Sequence, residues 1–246
     1  MASTKGRGGG SGARGTTARG TNPRGEGRGL HVRVKTARGR TVSSARWLQR
    51  QLNDPYVARA KAEGMRSRAA YKIMELDDKF QLLKKGAAIV DLGAAPGGWT
   101  QVAVDRVKAG QPGGGTVVGI DINGWDPIPN ATCLVMDFLD ERAPGAIKAA
   151  LGGKADVVLS DMASPTTGHN ATDHLRIMGL AEVAWAFAEE ILAPGGAFIC
   201  KVFQGGTEND LLNQIKQRMT SVRHVKPPAS RKDSAEMYVV ALGFKG

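Results

Sequence analysis

From residue 87 onward the chain alternates between short apolar runs and longer segments whose apolar positions recur every three to four residues. The runs near 87–91, 116–121, 132–136, 155–161, 196–203, 221–226 and 236–244 predict strands. The segments near 98–108, 143–151, 172–192 and 206–219 predict helices. Strands that are apolar throughout and alternate with helices predict an α/β fold, a mostly parallel seven-stranded sheet wound on both faces. The last two strands are joined by Lys226-Pro227-Pro228 and the polar residues after it, with no helix between them. The final strand is therefore expected to run antiparallel.

Upstream, the segments 44–52 and 55–62 read as short helices, with Gly64 as a stop. Ser67 is expected to cap a helix reaching Phe80, on which Ala69, Ile73, Leu76 and Phe80 form one stripe. Lys72 falls about 60° off that stripe by the helical period and is expected to be half covered. Arg59, Lys61, Arg66 and Arg68 surround it in sequence and are candidates for phosphate contacts.

Charge divides the chain. Residues 1–50 hold twelve Lys or Arg and one acid, Glu26, whereas the remainder balances to zero within the net charge of +11. Residues 1–42, rich in Gly and Arg, have too little apolar surface to offset the entropy of folding. They read as a disordered basic arm ahead of one domain over 43–246, and their partner is expected to be RNA phosphate. Neither a membrane span nor a secretory leader is expected. Cys133 and Cys200 lie within apolar runs and read as buried thiols, which fits a reducing cytoplasm. The four histidines show no metal-ligand spacing, so no metal is expected.

The chemistry centres on Asp91-Leu92-Gly93-Ala94-Ala95-Pro96-Gly97-Gly98-Trp99, a strand turning through glycines into a helix N-terminus. The glycine spacing is not that of the dinucleotide fingerprint, and no Lys-Ser/Thr follows as a phosphate loop requires. Asp91, Asp121 and Asp137 end successive apolar runs and face one crevice in a parallel sheet. Three carboxylates repel a pyrophosphate. They suit a ligand with a ribose diol, an exocyclic amine and a positive centre, and S-adenosylmethionine has all three. Asp161 ends a fourth run, and Lys201 sits inside an apolar strand. A lysine there is either paired structurally, with Asp161, or used. An antiparallel last strand brings Glu236 to the same edge, where Lys72 completes a Lys-Asp-Lys-Glu group.

Asp91 to Trp99, Leu159-Ser160-Asp161-Met162-Ala163, Leu192 to Gly196, Lys201-Val202-Phe203-Gln204-Gly205 and Ser234-Ala235-Glu236-Met237-Tyr238 together resemble the FtsJ/RrmJ-type (RlmE) ribosomal RNA ribose 2′-O-methyltransferases. Arg66-Ser67-Arg68-Ala69 and Ser44 to Leu48 match as well, so the resemblance spans residue 43 onward, and the long arm departs from the family's shorter pattern. It implies a Rossmann-like class I methyltransferase that uses S-adenosylmethionine to methylate a uridine ribose in large-subunit ribosomal RNA, on the assembled subunit. It implies catalytic roles for Lys72, Asp161, Lys201 and Glu236, with Lys201 as proton acceptor. It also implies cofactor contacts at Gly97, Trp99, Asp121, Asp137 and Asp161, to which the crevice reading adds Asp91 and Gly93. A monomer is expected. Transfer RNA as substrate, or a non-catalytic assembly factor, are the alternatives.

Overall fold

The computed structural model describes residues 42–165, 167–204 and 209–246. The basic arm, up to residue 41, therefore lies outside the described residues, as does the first turn expected of the helix near 206–219. In chain order the elements are α1 (Val42–Leu52), α2 (Pro55–Ala62), α3 (Ala70–Phe80), β1 (Ala88–Leu92), α4 (Gly98–Val107), β2 (Thr116–Asp121), β3 (Thr132–Val135) and α5 (Ala143–Leu151). There follow β4 (Ala155–Ser160), α6 (Asn170–Ile191), β5 (Leu192–Phe203), α7 (Asn209–Arg218), β6 (Met219–Val225) and β7 (Glu236–Phe244).

The seven strands order as β3-β2-β1-β4-β5-β7-β6. From β3 to β5 every pairing is parallel, and β7 inserts antiparallel between β5 and β6. Strand alternation sorts the apolar residues onto two faces. Ile89, Val117, Val157, Ile199 and Val240 pack with Ile73 and Leu76 of α3 and Val102 and Val107 of α4. Val90, Val118, Val158, Phe198 and Val239 pack with Ile147 of α5, Trp185 and Ile191 of α6, and Leu211 and Ile215 of α7. Each such side chain, removed from water, contributes roughly 1.5–3 kcal/mol.

Local signals explain most boundaries. Asp54 caps α2 by accepting the Tyr56 N–H, and Pro55 takes the first helical position. Ser67 does not cap α3: the helix starts two residues later behind Ala69, with no side-chain cap, and the Ser67 hydroxyl is turned against Gly98. β5 starts at Leu192 rather than near 196, because Leu192 already pairs with Ala155 before a bulge resets the register.

Candidate active site

The carboxyl ends of β1, β2 and β4 open on a cavity of about 340 Å³. Its wall includes Gly93, Ala95, Asp121, Asp137 and Asp161 beside the apolar Ile122, Phe138 and Leu139. Gly93 approaches β4's exit so closely that a Cβ would stand 2.9 Å from the Met162 Cα, at a φ of +79°. Asp121 is held by the Ala95 N–H at 3.0 Å and the Asn123 N–H at 2.7 Å. Asp137 accepts the Leu139 N–H at 2.9 Å.

Three of the candidates for cofactor contact are not among the residues lining that cavity. Asp91 is wholly buried beneath it, accepting the Thr100 hydroxyl at 2.6 Å. Burial pushes its carboxyl up to about 7; the Thr100 hydrogen bond opposes this, and Asp161 and Asp121 add to it. Trp99 points to the other face of the sheet, donating its indole N–H to the Ala69 carbonyl at 2.8 Å and packing on the Tyr238 ring. Gly97 is covered by Ile128, Arg66 and Trp125.

The four tetrad candidates do meet. In the β5–β7 register Lys201 stands opposite Tyr238 and Phe203 opposite Glu236, so Lys201, Tyr238 and Glu236 share the face on which α3 lies. α3 brings in Lys72, whose ammonium is 2.7 Å from Glu236 Oε1, 3.1 Å from the Tyr238 hydroxyl and 4.0 Å from Asp161 Oδ2. Lys201 Nζ lies 2.7 Å from the Asp161 carbonyl oxygen and 3.1 Å from its Oδ1. Burial alone would raise the Asp161 carboxyl. The ammoniums of Lys201 and Lys72 and the hydroxyl of Tyr238, which donates at 2.6 Å, hold it below the ordinary carboxylate range instead.

Lys72 is buried, only 6 % exposed, rather than half covered, because an acid from β7 draws its stem inward. The basic residues expected around it are largely engaged elsewhere. Arg59 pairs with Glu63, Arg68 with Asp54, and Arg66 donates to backbone carbonyls, while Lys61 is exposed. Tyr238 is the site residue that sequence reasoning misses. Its signal is the two-residue strand period, which puts it on the same face as Glu236. Ser230, donating to Glu236 Oε1 at 2.8 Å, carries no signal at all.

The arrangement sets a cavity lined by acids directly beside two buried amines, with Asp161 belonging to both. Residues 65–244 match the FtsJ-like methyltransferase family. The chain belongs to that family.

Among relatives, a protein of Rhodospirillum rubrum named ribosomal RNA large subunit methyltransferase E is 59 % identical, the comparison covering 100 % of this chain and 95 % of the relative. A protein of the same name from Paramagnetospirillum magneticum is 64 % identical over 92 % of this chain and 93 % of its own. The Rhodospirillum comparison runs through the basic arm, so the length of that arm is not peculiar to this chain. The crystal structure of a ribosomal RNA methyltransferase from Plasmodium falciparum superposes with a TM-score of 0.66 at 34 % identity, covering 74 % of this chain and 99 % of the other. This family member is thus an enzyme with S-adenosylmethionine as its methyl donor.

The cavity suits that donor. Its wall combines carboxylates at three strand exits, which disfavour phosphates, with the apolar side chains of Ile122, Phe138 and Leu139, a mixture that matches a donor with a ribose, a base and a positive charge. Among the described residues no group of three His, Cys, Asp or Glu is placed to hold a metal ion, and no helix is long and apolar enough to cross a membrane.

Proposed function

We propose that this methyltransferase modifies the ribose 2′-hydroxyl of a uridine in large-subunit ribosomal RNA, on the assembled subunit, acting as a monomer in the cytoplasm. The names carried by its relatives support the RNA class. The observation that carries the chemistry is the position of Asp161, which lines the cavity and stands 3.1 Å from the Lys201 ammonium.

S-adenosylmethionine, when bound, supplies a methyl group on a positively charged sulfur. In the cavity, Asp121 and Asp137 hold the ribose and base ends, and Asp161 faces the charged end. A leaving group that already carries positive charge needs little further activation, so the protein's task is alignment and removal of the hydroxyl proton. Lys201, having first released its own ammonium proton to solvent, takes that proton on the neutral Nζ. Asp161 aims Lys201 from two oxygens, and Glu236 holds Lys72 against the Tyr238 hydroxyl. Because Lys201 is bound to two Asp161 oxygens, a second role is open to it: remaining an ammonium and orienting the 2′-oxygen by donation. The basic arm adds contacts to RNA phosphates without reading sequence.

The test is to incubate the full chain with methyl-labelled donor and, separately, large subunits, small subunits, free ribosomal RNA and transfer RNA, then to map the label. A single uridine 2′-O-methyl in the large subunit is expected. Label confined to transfer RNA overturns the substrate assignment.

A further inference from the structure

Arg66 lies in the turn between α2 and α3, where the sequence pattern predicts a phosphate contact. Its guanidinium instead reaches three backbone carbonyls. Nη1 donates to Pro96, at 3.4 Å, and to Asp126, and Nη2 donates to Pro127 at 2.7 Å. The backbone beneath it is anchored to α4, since the Arg66 N–H donates to Gln101 Oε1 at 3.0 Å and Gln101 Nε2 donates to the Gly64 carbonyl at 3.0 Å. The arginine stem crosses Gly97. A Cβ there would stand 3.1 Å from Arg66 Cδ and 2.7 Å from Ile128 Cδ1, at a φ of +105°.

The two segments so joined carry the cavity wall. Pro96 follows Ala95, whose N–H holds Asp121 at 3.0 Å. Residues 122–131 run from Asp121 to β3 and are pinned at their far side by the Ile128 N–H on Cys133 Sγ and the Trp125 indole on the Leu134 carbonyl, both at 3.4 Å. We propose that Arg66 is a positioning residue of the methyl-donor site, its guanidinium stapling the glycine loop to the 122–131 segment so that Ala95 and Asp121 keep their relation. This rests on the reading of the cavity as the donor site. A planar fork with several fixed N–H groups spans three carbonyls, whereas an ammonium on a flexible stem does not, so lysine is a poor substitute.

The test uses the full chain and S-adenosylhomocysteine as probe, titrated calorimetrically into the parent, Arg66→Lys, Arg66→Met and Asp121→Ala proteins. RNA affinity is measured alongside as a function of salt, and amide exchange is followed over residues 122–131. Affinity for the probe is expected to fall by about tenfold or more in Arg66→Met and by less in Arg66→Lys. Exchange over 122–131 should quicken in both, and the salt slope of RNA binding should stay unchanged. Unchanged probe affinity and exchange in the Arg66 variants overturns the proposal, and a shallower salt slope with unchanged probe affinity reassigns Arg66 as a phosphate contact. If Asp121→Ala also leaves probe affinity intact, it is the reading of the cavity that fails.

Discussion

The Lys72 ammonium and the Glu236 carboxylate meet at 2.7 Å although 164 residues separate them in the chain. One sits on the helix that precedes the sheet, the other on the first residue of its last strand. Their side chains are 8 % and 15 % exposed, so the pair joins the two ends of the domain at a site that water scarcely reaches.

Removing one member of a buried pair leaves the other charge uncompensated, at a typical cost of ~3–5 kcal/mol. Glu236→Ala and Lys72→Met should each be strongly destabilised in urea. The double variant should lose about 1–3 kcal/mol less than the sum of the two. Strict additivity would show that the pair carries no coupling.

Lys201→Met should bind S-adenosylhomocysteine within about threefold of the parent, while turnover falls by roughly 10²–10⁴, the usual contribution of a positioned base. In Lys201→Arg the limb of the pH–rate profile along which activity rises with pH, as the base loses its proton, should move or vanish. A profile unchanged in shape at reduced amplitude would assign Lys201 to orientation alone.

Tyr238→Phe removes one of the groups that hold the Asp161 carboxyl low. A carboxyl depressed in the folded state contributes stability above its unfolded pKa, and that stability is lost as pH falls through the folded value. Without the phenol the folded value rises. Acid unfolding of Tyr238→Phe should therefore begin at higher pH than in the parent, and coincident acid transitions would refute this.

Asp91 has the opposite sign. Its carboxyl is raised from 3.8 to about 7, chiefly by burial, so it contributes stability below pH 4 that is lost as pH climbs toward 7. A rise of that size corresponds to roughly 4 kcal/mol between the two protonation states. Asp91→Asn keeps an acceptor for Thr100 and carries no charge, so it should gain on the parent between pH 4 and 7. Parallel stability curves over that window would rule this out.

Deleting residues 1–40 should weaken RNA binding and flatten its dependence on salt, with turnover at saturating RNA unchanged. An unaltered slope would show that the arm does not neutralise phosphates.

The alternation of apolar runs with helical segments made the sheet legible, the lack of a helix after 226 made its antiparallel last strand legible, and the strand exits so placed brought Asp161, Lys201 and Glu236 to one edge beside Lys72. What stayed hidden was the choice of partner. Arg66 and Arg68 look alike in sequence, yet one finds carbonyls 30 and 61 residues away and the other binds Asp54 and the Ala229 carbonyl. Asp91 looks like Asp121, but the β1–β2 register sets it level with Gly119, two residues short of Asp121 along the strands, where it is buried and accepts the Thr100 hydroxyl. Burial of Lys72 was likewise invisible, since it depends on an acid supplied by β7.

Among the described residues β6 pairs with the sheet through β7 alone, and β7 begins with the acid that Lys72 needs. Fraying that starts at this outer margin therefore strips the Glu236 carboxylate from Lys72 while the parallel strands are still intact. Heat should silence the enzyme before it melts it.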